Sequence, residues 1–100
     1  MDKFKLGSDV FLEFKVKVGK RPALINSADG ELYKGDNYIR DFATSVKKNT
    51  VSGIIDNTVF TRVGEYNAKF NVHLQGMGKQ EYNIPFEIIK SVFGKARQLV

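Results

Sequence analysis

One hundred residues, with an apolar share of 42%, eight Phe and four Tyr, make one domain with one core and leave too little chain for a deep active-site cleft beside it. The absence of cysteine excludes a disulfide framework and a thiolate metal site. Sixteen basic against eleven acidic side chains give a net charge of +5, and because the lysines are scattered among the acids this reads as solubility charge before it reads as a nucleic-acid footprint.

The chain begins Met1-Asp2-Lys3-Phe4, without the apolar h-region of a secretory signal. No apolar run approaches the length of a membrane helix, so no membrane partner is expected. The expectation is synthesis in the cytoplasm and assembly there into something larger.

The first element is Asp9 to Val18. Val10, Leu12, Phe14, Val16 and Val18 alternate with Phe11, Glu13, Lys15 and Lys17, which predicts a strand with one buried face. Phe11 breaks the polar face. Gly19-Lys20-Arg21-Pro22 is turn chemistry. A loop is expected at 26–30, where Asp29-Gly30 favours positive φ, and a short strand at Glu31-Leu32-Tyr33. Tyr38, Ile39, Phe42 and Val46 fit helical spacing with Asp36 as N-cap, so a short helix is predicted around 36–46; two short strands with a bulge are the alternative. Thr50–Ile55 and Thr58–Arg62, rich in β-branched residues, read as a hairpin around Asp56-Asn57. Tyr66, Ala68, Phe70, Val72 and Leu74, then Tyr82, Ile84, Phe86 and Ile88, alternate with polar residues on either side of Gly76-Met77-Gly78, which predicts a second hairpin. Pro85 has no amide to donate, so its position should face a sheet edge or a bulge. Residues 91–100 form a C-terminal tail, after a single domain over 1–90.

Little chemistry is visible. The single histidine, His73, lies on the polar face of its strand, where Glu81 or Glu87 would be its neighbours; it reads as a solvent-facing residue and not as a catalyst. The carboxylates are spread out, and Asp29 with Glu31 or Asp36 with Asp41 matches no calcium loop. Gly76-Met77-Gly78 joins two strands and opens no helix, so it is no phosphate cradle. Lys15, Lys17, Lys20 and Arg21, with Phe11 on the same side and Lys47-Lys48 to join them, have the chemistry of a single-strand platform, but Glu13 interrupts the row. No catalytic, metal or cofactor-binding residue is assigned, and no enzyme activity is expected.

Val63-Gly64-Glu65-Tyr66, leading into Phe70, Val72 and Leu74, resembles the Gly-x-Tyr start of the penultimate strand of immunoglobulin-like domains, where a tyrosine anchors a corner. Tyr66 takes that role by resemblance. The opening Gly7-Ser8-Asp9-Val10-Phe11-Leu12-Glu13-Phe14 is similar to the first strand of small sandwich domains in phage tail, baseplate and capsid-decoration proteins. The resemblance implies an antiparallel immunoglobulin-like β-sandwich and a virion structural role, docked on other protein subunits, with a homo-oligomer compatible. Apolar residues left over from the core, Phe11, Met77, Phe93, Leu99 and Val100, are the candidate interface. Two other readings stand beside it. One is a carbohydrate or cell-surface binder using loops 26–31 and 75–80 with Tyr33 or Tyr38 as stacking platforms. The other is a weakly basic single-stranded nucleic-acid binder, though nucleic acid is not the expected partner.

Overall fold

The computed structural model describes residues 1–90. They form nine strands: β1 (Asp2–Lys5), β2 (Val10–Lys15), β3 (Lys17–Val18), β4 (Arg21–Pro22), β5 (Ile25–Lys34), β6 (Asn37–Lys47), β7 (Thr50–Ile55), β8 (Gly64–Leu74) and β9 (Gly78–Ile89). The one helical element among the described residues is a 3-10 turn at Asn57–Val59. Seven strands hydrogen-bond in the order β1-β9-β8-β5-β6-β7-β2, and β3 with β4 forms a small separate ribbon. All neighbours are antiparallel except β1 with β9.

The long sheet curls on itself. Strand β6 makes the corner: its first half pairs with β5 through Phe42, and its second half, from Ala43, pairs with β7. The inner faces then meet. Phe14 of β2 packs edge-on against Phe70 of β8, with ring centres 5.0 Å apart, and lies 5.2 Å from Tyr82 of β9. Phe42 meets the other side of Phe70 at 5.2 Å. Around these rings the alternate residues Val10, Leu12, Leu32, Val51, Ile55, Ala68, Val72, Phe86 and Ile88 are buried. Burial of this kind contributes roughly 25 cal/mol per Å² of apolar surface.

The helix predicted at 36–46 is a strand. The spacing of Tyr38, Ile39, Phe42 and Val46 imitates a helix for two reasons. Ile39 is an extra residue opposite the Leu32–Tyr33 step, which breaks the period of two. Between Phe42 and Val46 the inward position is taken by Thr44, whose hydroxyl donates to the Ala28 carbonyl at 2.7 Å, so a buried-side residue reads as polar.

The loop expected at 26–30 is also strand, part of β5. Gly30 is there for space and not for a turn. A Cβ at Gly30 would stand 2.3 Å from the Phe42 ring, and one at Gly53 would stand 2.5 Å from it. The hairpin expected at 50–62 is replaced by a corner: β7 ends at Ile55, and Asp56 caps the 3-10 turn. The Asp9–Val18 strand is interrupted at Val16, whose N–H donates to Asn49 O while its carbonyl accepts from Ala23 N. The β8–β9 hairpin forms as expected, in register from Gly64↔Ile88 to Leu74↔Gly78. Pro85 lies one residue before the stretch that β1 covers, which begins at Asp2↔Phe86, so its missing amide breaks no ladder on that side.

Candidate functional site

The strands bring different candidates to different surfaces. On β2, Phe11 points away from the core and is 55% exposed. Its cross-strand partner on β7 is Ile54, 51% exposed, and Ile54 is paired in turn with Ala43 on β6. These three make an apolar row across the outer face of the β2-β7-β6 half. The next row is Glu13, Ser52 and Ser45, and the one after it Lys15, Thr50 and Lys47.

The apolar row lies between two shallow grooves. One is lined by Phe11, Ser45, Ser52 and Gly53, the other by Asp9, Arg40, Asp41, Asp56 and Thr58; Ala43 and Ile54 line both. Asp9 is fixed by two hydrogen bonds from Asn57, the backbone N–H at 2.8 Å and the side-chain amide at 2.9 Å. Asp56 accepts from the Thr58 hydroxyl and backbone N–H, which hold its carboxyl below the usual range. One flank of the row therefore carries the carboxylates Asp9, Asp41 and Asp56, with Arg40 among them.

The outer face of β5, β8 and β9 is built differently. Asn71 is buried and its amide donates to Asp29 at 2.9 Å and to Glu31 at 3.2 Å. Lys69 lies 3.2 Å from Glu81, which also accepts from Asn83 at 3.1 Å, and Asn67 donates to Asn83 at 2.9 Å. The Asn83 amide and the Lys69 ammonium hold Glu81 below its ordinary value, and Glu81 holds Lys69 above its own. Tyr33 and Tyr38 sit edge to face at 5.8 Å beside this network. Tyr38 donates to Asp41 at 2.8 Å, a bond that raises the phenol.

The other sequence candidates fall elsewhere. His73 is opposite Lys79 and 3.9 Å from Asp29, so Asp29 and neither Glu81 nor Glu87 is its carboxylate neighbour. Met77 tips the β8–β9 turn, at the opposite end of the sheet from Phe11, and is 51% exposed. Phe93, Leu99 and Val100 lie outside the described residues. Tyr66 donates its hydroxyl to the Arg62 carbonyl at 2.8 Å. Gly64, with φ +137°, turns the chain into β8 beside it, a backbone conformation that side-chain-bearing residues rarely adopt. Of the loops weighed for a carbohydrate site, 75–80 is a turn leading into β9, but 26–31 runs within β5.

Ile54 and Ala43 are the members of the apolar row that sequence reasoning missed. In Thr50–Ile55 nothing marks which of Ile54 and Ile55 faces inward; pairing with β2 decides it, and Ile55 is the one buried. Among the described residues no group of three or more His, Asp or Glu is placed to hold a metal ion. No helix there is long and apolar enough to cross a membrane. No protein-family model matches the chain, and no curated protein matches its sequence.

Proposed function

We propose that this chain is a non-catalytic assembly module with an immunoglobulin-like sandwich fold, docking on other protein subunits of a phage-like particle. The observation that carries the docking is the Phe11–Ile54–Ala43 row, apolar and outward-facing on a domain whose core is already filled. Exposed aromatic and branched side chains framed by polar groups are the composition of an interface centre. The sandwich reading is supported by the way the chain changes halves at Leu6–Asp9, at 16–25, within β6 and at 56–63, by the parallel pairing of first and last strands, and by the Tyr66–Arg62 corner. The particle itself comes from the resemblance of the opening strand and the Gly-x-Tyr segment to such modules. The row is bounded on one side by Asp9, Asp41 and Asp56 with one cation, Arg40, among them, so the partner surface it fits has an apolar centre with a basic excess at that edge.

Fractionation of the producing cells on a density gradient tests this. The expected result is that the chain sediments with particles and stays there after a moderate salt wash. Recovery only at the top of the gradient, in fractions free of particles, would overturn the reading.

A further inference from the structure

The charge of the molecule is far more polarised in space than in sequence. Residues 1–90 hold fourteen basic and eleven acidic side chains. Six of the basic ones, Lys15, Lys17, Lys20, Arg21, Lys47 and Lys48, come together at one end, leaving eight basic and eleven acidic, a balance of −3, for everything else. Two segments about 30 residues apart make this end. Val16 N–H donates to Asn49 O at 2.8 Å and the Asn49 amide donates to Val16 O at 3.1 Å, which ties the Lys15–Arg21 stretch to the Lys47-Lys48 turn. Lys15 and Lys47 both flank Thr50, so they lie two strand spacings apart, about 10 Å.

All six side chains are exposed. The salt bridges of the described residues, Lys69 with Glu81 and His73 with Asp29, are elsewhere, so none of the six has a carboxylate partner there. No acidic residue occurs in 14–28 or 42–55; the nearest along the chain is Glu13, one row up β2. Six cations at one end, without a carboxylate partner among the described residues, repel each other and attract a polyanion.

We infer that this end is a second binding surface, one that takes the phosphate backbone of a nucleic acid without reading its sequence. Composition separates this from another protein contact. Protein interfaces are depleted in lysine and enriched in aromatics, whereas this end has five Lys, one Arg and no exposed Phe or Tyr, its exposed apolar side chains being the aliphatic Val18 and Leu24. Without an aromatic there is nothing on which bases would stack, and lysine point charges without a fixed fork geometry suit phosphate contacts. The inference is independent of the docking row, which lies two rows away on the same face.

The test is fluorescence anisotropy of the full chain with labelled 20-nucleotide DNA, single-stranded and duplex, at about 50 and 200 mM salt. If all six cations contact phosphates, duplex affinity falls roughly a thousandfold over that range. In K17Q/K20Q/K47Q/K48N two contacts remain and the fall shrinks to about tenfold. Asn is chosen at position 48 because Lys48 has φ +58°, which Asn tolerates. The K3Q/K5Q/K90Q variant, altered at other positions, keeps the wild-type salt slope, and so does K95Q/R97Q. Absence of binding at 50 mM salt, or an unchanged slope in the four-site variant, overturns the inference. Equal or tighter binding to poly-glutamate or to vesicles with about 30% anionic lipid overturns the nucleic-acid assignment as well.

Discussion

The two outer faces of this molecule spend their side chains in opposite ways. On β5, β8 and β9, Asp29, Glu31, Asn71, Lys69, Glu81, Asn83 and Asn67 bond to one another, and of the buried side-chain polar atoms of the described residues only Asn71 Oδ1 lacks a partner. On β2, β7 and β6, Phe11 and Ile54 bond to nothing and pack against no other segment sufficiently to hide them. A face whose polar side chains mostly bond to one another has less to gain from a partner than exposed apolar surface, which gains by leaving water. Docking is therefore expected on the β2-β7-β6 face.

The comparison requires that both faces belong to one rigid body, joined at Phe70. Phe70→Ala should cost about 3–5 kcal/mol, because this ring of β8 contacts Phe14 of β2 across the interior and Phe42 of β6 at the corner. Urea unfolding would show it as a lowered midpoint in a single transition; two separate transitions would mean that the halves fold apart. Gly53→Ala comes next, at about 1–3 kcal/mol, since the new methyl would collide with Phe42 and Phe70. Phe42→Leu in the same chain should restore part of the loss, a coupling that a double-mutant cycle measures. Tyr66→Phe removes the bond to Arg62 and should cost about 1 kcal/mol in the same assay.

The smallest effect is electrostatic. Hydrogen bonds from Thr58 lower the Asp56 pKa below its ordinary 3.8. Folding therefore gains from Asp56 above its unfolded pKa, and the gain fades as pH falls through the depressed folded value. Thermal melts from pH 6 to pH 2 should show a slightly shallower acid limb for Asp56→Asn than for wild type. Overlapping limbs would remove Asp56 as a contributor.

What the sequence discloses depends on whether a residue's role is local. Strands β2, β8 and β9 are legible because each places apolar groups on alternate sites, and the pairing of β8 with β9 follows from the short turn between them, whereas the partner of β2 does not show in the sequence. Strand β5 is hidden, because Asp29-Gly30 looks like a turn until Phe42 is seen to need the space over Gly30 and Asn71 to need Asp29. Strand β6 is hidden by Thr44, whose partner is a carbonyl sixteen residues away, and by the extra residue Ile39. The same division runs through the surface. Phe11 interrupts a polar alternation and can be noticed alone, whereas Ile54 acquires its outward position only from its pairing with Phe11. The six cations of the basic end can be noticed along the chain, whereas the meeting of their two segments rests on the Val16–Asn49 bonds.

The most direct test places one double variant on each outer face and counts copies of the chain per particle by quantitative mass spectrometry. Both Phe11→Ser with Ile54→Ser and Asn67→Ser with Asn83→Ser alter outward-facing side chains, with stability expected to change by only about 0.5 kcal/mol. If the β2-β7-β6 face is the docking face, the first variant should lower occupancy at limiting protein by about tenfold or more, as loss of an interface centre does, and the second should leave it at the wild-type level. Normal occupancy for the first variant, with loss confined to the second, would contradict the account.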